Sequence, residues 1–382
     1  MPTRLDAVVT HIEVNERHGV GVLLQAIFGE GAGLAVFRSR DDFGGVQRFG
    51  ERSCGIEQKA GWRWLARRRV ARATGDLQVA RILCVPYFTA DVRNALALQD
   101  LHGAPLCTWL MDDQTLEQRS IPEPLMAELL ARSRLRLAIS PELGEAYAAR
   151  FGLAFGVVPP LVAARLTGVA PAVGREPGAR GLVIGNIWGR AWYEDLRRAV
   201  REAGLHLDWC SPAGLHSYWA GLEPSALEAD GIQPLGALTE AALIERLRAA
   251  PYVLVPTGTL DESDDHRHLT RFSLPSRVAF AIATAQVPLI VLGSSESAAA
   301  RFVTRTGVGL AAPYESQALR RAVAEVTGAE GSARLRARSS ELAPSFSAAG
   351  AVDWLWGSLA AGRPVDDRYE RLVGGSGGTA ER

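Results

Sequence analysis

Residues 253–293 read VLVPTGTLDESDDHRHLTRFSLPSRVAFAIATAQVPLIVLG, and this stretch decides the fold. It begins as an apolar strand, continues through a long polar stretch, enters a helix at SLPSR and ends in a second apolar strand. The first backbone N–H groups of such a helix have no partner within it and lie at the positive end of the helix dipole. The segment therefore predicts a strand–loop–helix unit that can hold a phosphate.

The turn that leads into this helix has the composition of a helix start. Pro275 suits the first turn, and Ser273 or Ser276 can cap it. Arg277 places a cation where the dipole prefers an anion, which is reasonable if a diphosphate binds there. We therefore predict a diphosphate contact from Ser273, Leu274, Ser276 and Arg277.

The polar stretch before the helix, TGTLDESDDHRHLTR, has the length of loops that serve a site. Its acidic and imidazole side chains could be a metal cluster, but their spacing matches no helical pair of ligands, and a solvated charged loop is the better interpretation. These side chains are Asp264, Asp265, His266 and His268.

Short apolar strands alternate with amphipathic helices almost from end to end, which predicts an α/β protein with parallel sheets. The Pro- and Gly-rich stretch 157–181 is typical of a linker. We predict two Rossmann-like, doubly wound domains, 1–162 and 163–349. A helix at about 350–372 is expected to cross back to the first domain, and 373–382 is expected to be a disordered tail.

Composition excludes several classes of protein. The 382 residues carry 42 Lys and Arg against 42 Asp and Glu, so the net charge of zero gives no reason to bind nucleic acid. The N-terminus has no secretory signal, and the longest apolar run is interrupted by Gln286 and Pro288, so no spanning helix is expected. The cysteines show neither disulfide nor zinc spacing and fit a reducing cytosol; they are Cys54, Cys84, Cys107 and Cys210.

The first predicted strand leads into NERHGVGVLLQ, where Gly19 and Gly21 permit a tight turn and close backbone approach before a helix. A plain strand-to-helix turn explains the glycines equally well. His18 could contact a polar ligand there, or be an ordinary surface histidine.

LCTWLMDDQ places Asp112 and Asp113 at the carboxyl end of another strand. Either carboxylate could act as a general base toward an acceptor hydroxyl or bind sugar hydroxyls, and the alternative is a cap for the next segment. Tyr87 and Asp91, after the preceding strand, are weaker candidates of the same kind.

The second half opens with GLVIGNIWGRAWYEDLRRAV, again a strand, a glycine turn and a helix. Gly185, Asn186 and Gly189 could bring backbone amides to an anion, with Arg190 supplying a charge. Alternatively, the tryptophans of this segment simply pack the helix. In the first half, residues 61–72 (GWRWLARRRVAR) could lie on anionic lipid or form a solvated helix packed on the sheet.

These segments resemble the GT-B glycosyltransferases over nearly the whole chain, and most closely the family 4 nucleotide-sugar enzymes. The residues that carry the resemblance are HGVG, the segment LAISPELGEAYAARFGLAFGVVPP, the GNIWGR loop and above all SLPSRVAFAIATAQVPLIVLG. The resemblance implies that the second domain holds the donor diphosphate and the first domain the acceptor, with no metal required. Gly185, Asn186, Arg190 and the SLPSR residues would face the diphosphate, and Gly19 and Gly21 the transferred sugar.

Many family members bind the donor ribose through a glutamate in the helix after the Pro-Ser turn. The matching residues here, Val278-Ala279-Phe280-Ala281, include no glutamate, so Asp261 or Glu262 is expected to take that role. The resemblance implies a glycosyltransferase that is cytoplasmic, or peripheral at the inner membrane face, and that builds a surface glycan or a lipid-linked glycan. A nucleotide-sugar 2-epimerase and a degenerate glycan-binding or scaffold module are the alternatives.

Overall fold

The computed structural model describes residues 3–58, 63–168, 180–211 and 224–374. The chain divides into two compact units. Unit 1 consists of Met1–Pro159 and Ala348–Glu370, and unit 2 of Pro160–Ser347 and Arg371–Arg382. Each unit contains its own parallel sheet.

Among the described residues, the sheet of unit 1 has seven strands in the order β3-β2-β1-β4-β5-β6-β7. Every pairing is parallel, and the register places Val9 beside both Phe37 and Cys84. The strands are β1 (Arg4–Thr10), β2 (Leu34–Arg38), β3 (Arg52–Gly55), β4 (Gln78–Cys84), β5 (Leu106–Leu110), β6 (Leu135–Ala138) and β7 (Gly156–Val157).

The helices of unit 1 lie between these strands, and one more comes from the end of the chain. They are Gly19–Phe28, Arg63–Thr74, Thr89–His102, Glu123–Arg132, Pro141–Phe151 and Ala351–Ala361. A last helix, Arg368–Gly374, follows. Strand order reverses between β1 and β4, so the residues that follow these two strands lie side by side at the carboxyl edge of the sheet, where open α/β sheets bind ligands.

The sheet of unit 2 has six described strands in the order β10-β9-β8-β11-β12-β13, again all parallel. They are β8 (Gly181–Ile184), β9 (Leu207–Cys210), β10 (Ile232–Gly236), β11 (Val253–Pro256), β12 (Leu289–Leu292) and β13 (Gly309–Ala312). The order reverses between β8 and β11, which brings the loops after these strands together.

The described helices of unit 2 cover this sheet. They are Arg190–Ala203, Pro224–Ala229, Glu240–Ala249, Arg267–Phe272, Ser276–Ala285, Ala298–Thr306, Ser316–Thr327 and Ala329–Leu342. Short 3-10 turns occupy Ala164–Leu166 and Ala343–Phe346. In the first of these helices, Trp192, Leu196 and Val200 recur at the helical period and are buried in the core, which fixes Arg190 at the carboxyl edge of the sheet.

The predicted fold class is confirmed: two parallel α/β sheets form two Rossmann-like domains. The edge strand Arg52–Gly55 was missed, because its residues alternate between half-buried and exposed and give no apolar run.

The predicted tail is partly wrong. Its first residues, Val373 and Gly374, end the helix Arg368–Gly374, and Val373 is buried. The remainder, 375–382, lies outside the described residues, as does 169–179 of the predicted linker. The four cysteines are free thiols, three of them buried.

Candidate functional site

The start of the helix Ser276–Ala285 adjoins the loop after β8, so two of the predicted phosphate-binding segments lie together. Arg277 connects them. Its Nη1 donates to the Ile184 carbonyl at 3.0 Å, and its Nη2 donates to the Asn186 carbonyl at 2.5 Å. A Cβ on Gly185 would lie 3.7 Å from the Arg277 Cζ, so the guanidinium is packed directly against this glycine.

The charge of Arg277 has no acidic partner among the described residues. Burial lowers the pKa of its guanidinium to about 10, and nearby Tyr314 acts in the opposite direction. The side chain is half-buried and still protonated near pH 7, so unit 2 contains a partly desolvated cation that donates to two carbonyl groups. Charges withdrawn from water are usually paired in proteins, so this cation is suited to an anion from outside the chain.

The helix that carries Arg277 begins without a capping side chain at its N-cap position. The N-cap residue is Pro275, which has no side-chain acceptor, and the first turn has no acidic residue. Ser276 is the first residue of the helix and not its N-cap, and capping by Ser273 stays a prediction. Ser276 is exposed. The Leu274 side chain is buried, so the part of Leu274 that could reach a ligand is its backbone.

The start of the neighbouring helix Arg190–Ala203 is different, because an internal carboxylate lies against it. Asp265 Oδ2 accepts from the backbone N–H of Arg190 at 2.7 Å. A Cβ on Gly189 would come within 2.5 Å of Asp265 Oδ1, which explains the glycine. The Arg190 guanidinium pairs with Glu194 at 2.8 Å. These contacts give Arg190 and Gly189 partners other than a diphosphate.

The stretch before the SLPSR turn is not the solvated loop that the sequence suggested. Asp264 is buried and accepts hydrogen bonds from Leu260 N, His266 N, the Thr270 hydroxyl and the indole N–H of Trp192. His268 is buried as well. Asp264 thus fixes the loop after β11 to the helix after β8. No group of three potential metal ligands occurs anywhere in the described part of the chain.

Asp261, predicted to bind a ribose, lies exposed in this loop. Its carboxylate accepts from the Ser263 hydroxyl at 2.6 Å and the Ser263 N–H at 2.9 Å. The Ser263 hydroxyl is the main reason that the pKa of Asp261 is lowered. The ribose role of Asp261 or Glu262 stays a prediction.

In unit 1 the residues after β1, β4 and β5 form a cluster at the carboxyl edge. The Tyr87 hydroxyl donates to Asp112 Oδ2 at 2.5 Å, and the His11 ring lies 4.2 Å from the Tyr87 ring. Burial, with the charges of His18 and Arg40, lowers the pKa of His11 to about 3. The His11 imidazole is therefore neutral across the physiological range.

His18 joins this cluster, with its ring 5.4 Å from that of His11. Its Nε2 is 3.0 Å from the Glu13 carbonyl, which can only accept, so Nε2 carries the proton. Burial lowers the pKa of His18, against the opposing effects of the Glu13 carbonyl and nearby carboxylates. The neutral ring thus has an unprotonated Nδ1 that could accept a proton.

Asp113 makes contacts that favour the capping alternative. Its carboxylate accepts from the backbone N–H groups of residues 115–118 and from the Tyr147 hydroxyl, and it is fully buried. Asp91 is similarly engaged by the Ser39 hydroxyl and by the N–H groups of Tyr87 and Phe88. Burial raises the pKa of Asp91 to about 6 against these hydrogen bonds.

Gly19 and Gly21 occupy different surroundings. Gly19 is exposed at the start of the helix Gly19–Phe28. Gly21 is buried, and a Cβ there would come within 2.1 Å of the Asn15 carbonyl oxygen. The close backbone approach that the sequence predicted at Gly21 is therefore made by the chain itself, at Asn15.

Sequence reasoning missed His11 and Arg40. Each comes just after the carboxyl end of a strand, β1 and β2 respectively, and the Arg40 N–H donates to the His11 carbonyl at 2.8 Å. Asp112 was predicted because it is a polar residue just past the end of a strand. The same criterion, applied to every strand, would have found His11 and Arg40.

The predicted lipid-facing segment corresponds to the helix Arg63–Thr74, whereas Trp62 lies outside the described residues. Trp64 is 60% exposed, and Ala66 and Val70 are buried. Membrane contact through this helix stays a prediction. No helix in the described ranges has the length and apolar character that a bilayer span requires.

Solved structures of the same architecture span nearly the whole chain. HepE from Anabaena, in complex with UDP, superimposes with a TM-score of 0.65 at 14% identity, covering 94% of this chain and 100% of that one. A UDP-forming α,α-trehalose-phosphate synthase from Burkholderia xenovorans, in complex with glucose-6-phosphate, gives 0.63 at 13% identity, covering 93% and 100%. A UDP-N-acetylglucosamine 2-epimerase from Rickettsia bellii gives 0.54 at 10% identity, covering 94% and 98%.

These similarities define the class of protein: the chain has the GT-B fold. Glycosyltransferases and 2-epimerases share this fold, and identities this low show the fold alone. No family profile and no curated protein sequence matches the chain.

Proposed function

We propose that the protein is a glycosyltransferase that moves a hexose or deoxyhexose from a nucleotide diphosphate sugar to a glycan or lipid-linked acceptor. One observation carries the proposal. Arg277, a half-buried cation without an acidic partner among the described residues, lies at the start of the helix Ser276–Ala285, directly against Gly185. A cation beside the first N–H groups of a helix is suited to a diphosphate.

Transfer of the sugar would require little else from unit 2. When the bond between the sugar carbon and the diphosphate oxygen breaks, negative charge develops on the leaving group. Arg277 and the helix N–H groups would stabilise that charge, which is the main contribution a protein makes to such a reaction. The donor diphosphate is thus assigned to Gly185, Asn186, Ser276 and Arg277.

Unit 1 would supply the acceptor site. As the acceptor oxygen bonds to the sugar carbon, its proton must move to a base, and His18 Nδ1 and the Asp112 carboxylate are the groups in unit 1 suited to accept it. If the reaction inverts the anomeric centre, loss of the base should abolish transfer. If it retains the configuration, the same substitution should mainly weaken acceptor binding.

Calorimetry with UDP, GDP and dTDP tests the donor site. We expect one of them to bind, and Arg277→Ala to weaken it at least tenfold, about 1.4 kcal/mol, because a charge-assisted contact is lost. Absence of binding at millimolar nucleotide would contradict the proposal.

A second substitution separates ligand binding from folding. Ser276→Asp adds a carboxylate at the exposed helix start, where it should hold or raise thermal stability through the dipole while repelling a diphosphate. Ser276→Ala is the matched control and should bind nucleotide normally. Equal nucleotide affinity in the Asp and Ala variants would remove this helix start from the site.

Product analysis distinguishes the proposed activity from its alternatives. Transfer joins the sugar to an acceptor, whereas a 2-epimerase inverts one sugar centre without any acceptor. Nucleotide binding with neither product would indicate a binding module.

A further inference from the structure

The carboxyl edge of unit 1 carries a continuous row of rings, here called the aromatic row: Phe43, His18, His11, Tyr87 and Phe88. His18 lies 6.0 Å from Phe43 and nearly parallel to it, with an interplanar angle of 14°. His11 then contacts His18 at 5.4 Å, Tyr87 at 4.2 Å and Phe88 at 5.9 Å between ring centroids. All five residues are half-buried, so none of them is closed off completely from solvent.

Such a row suits a sugar ring. Aromatic faces carry negative charge density, and the C–H bonds of a pyranose point outward from its faces with partial positive charge. The row also has polar groups for sugar hydroxyls, since Asp112 accepts from the Tyr87 hydroxyl and His18 offers Nδ1. Apolar surface with a few fixed polar groups is typical of small-molecule sites.

An arginine lies over each end of the aromatic row. The Arg40 Cζ is 3.7 Å from the centroid of Phe88, and the Arg17 Cζ is 5.6 Å from that of Phe43. Both side chains are exposed, and neither forms an ion pair with any described residue. A guanidinium that lies over a ring still has N–H groups at its edge, and these can bind a carboxylate or phosphate through two hydrogen bonds.

Most acidic side chains near the row are already engaged. Glu13 accepts from the N–H groups of Asp42, Phe43 and Gly45, and Asp41 pairs with Arg38. Asp91 is buried. Asp42 is exposed near His18, Glu16 is exposed next to Arg17 in the chain, and Asp112 is half-buried. Arg17 and Arg40 are the two arginines of this edge that lie over a ring of the aromatic row.

From these contacts we infer that unit 1 binds a saccharide with an anionic group, its ring on the aromatic row and its phosphate or carboxylate on Arg40 or Arg17. The inference rests on the proposed function in one respect, which is that this saccharide would be the acceptor. Binding itself requires no donor and no turnover.

The test is a calorimetric titration of the full chain with glucose 6-phosphate, glucuronate, glucose and inorganic phosphate. We expect glucose 6-phosphate or glucuronate to bind at least tenfold more tightly than both glucose and inorganic phosphate. The better of the two identifies the anion as phosphate or carboxylate. Arg40→Gln should reduce its affinity at least tenfold without changing the melting temperature, while Arg321→Gln, an exposed arginine of unit 2, should leave it unchanged.

The inference would be overturned by any of the following results. One is glucose binding as tightly as the charged sugars, or none of them binding. Another is unchanged affinity in both Arg40→Gln and Arg17→Gln. The third is inorganic phosphate binding as tightly as glucose 6-phosphate, which would indicate an anion site without sugar recognition. Nucleotide binding, measured separately, distinguishes failure of this inference from failure of the proposed function.

Discussion

Asp112 and Asp113 are neighbours in the chain, but their side chains have different surroundings. Both follow β5, yet Asp113 is fully buried and holds the turn 115–118, whereas Asp112 is half-buried and accepts from Tyr87. The dipeptide looks like two equivalent carboxylates in the sequence. The tertiary structure gives them different surroundings: Asp113 stabilises a turn, and Asp112 lies beside Tyr87 of the aromatic row.

Asp113→Ala should destabilise unit 1 by at least about 3 kcal/mol, because several buried N–H groups and the Tyr147 hydroxyl lose their acceptor. Urea unfolding measures this loss. Asp112→Ala is the neighbouring control and should cost about 1 kcal/mol while impairing transfer. An Asp113→Ala protein of normal stability but reduced turnover would show instead that Asp113 takes part in the chemistry.

At the scale of the element, the loop after β11 is the part of the fold that differs most from expectation. It contains the helix Arg267–Phe272 and is organised around the buried Asp264. Gly258 makes this possible, because a Cβ there would lie 2.0 Å from Asp264 Oδ2 and 2.3 Å from the Thr270 hydroxyl oxygen.

Gly258→Ala should therefore destabilise unit 2 by a few kcal/mol, since the added methyl displaces a buried carboxylate from its donors. The melting temperature should fall, and nucleotide affinity should fall with it. Gly357→Ala is the matched control: its Cβ would meet Val365 at an ordinary 3.6 Å within a helix. That variant should be neutral or more stable by about 0.5–1 kcal/mol. A melting temperature unchanged by Gly258→Ala would argue against a fixed loop.

The helix Ser276–Ala285 ends at Gln286, which takes the left-handed conformation with φ of 48°. Glycine adopts this conformation most easily, so Gln286 holds a backbone conformation that residues with side chains rarely take.

At the scale of the whole molecule, each unit has its own sheet, and unit 1 also includes Ala348–Glu370 from near the end of the chain. Trp356, from the helix Ala351–Ala361, is buried against Phe28, and the Arg81 guanidinium lies 4.5 Å over its ring. Arg81 in turn forms a two-bond ion pair with Asp6 at the beginning of β1. Unit 1 is therefore completed by residues far from it in sequence.

Trp356→Ala should cost unit 1 about 3–5 kcal/mol through the cavity and the lost contacts. Unfolding monitored by circular dichroism should show an earlier transition, with nucleotide affinity unchanged because unit 2 has a separate core. Trp64→Ala, which removes a tryptophan that is 60% exposed, should change stability little. Loss of nucleotide binding in Trp356→Ala would show that the two units depend on each other.

The class of fold follows from the sequence alone, because the apolar patterns that predict strands (period 2) and helices (period 3.6) are local. Strand β12 and the helix before it follow these patterns directly. The sequence also indicated Arg277, at a helix start, and Asp112, just past a strand end, as candidate site residues, and these roles stay predictions. Which charged side chains already have partners is visible only in the tertiary structure. Asp265 binds the start of the helix Arg190–Ala203 and Asp113 binds its own turn, whereas Arg277 has no carboxylate partner among the described residues. The physical reason is that burial and hydrogen-bond partners come from segments far apart in the chain, so no local pattern records them.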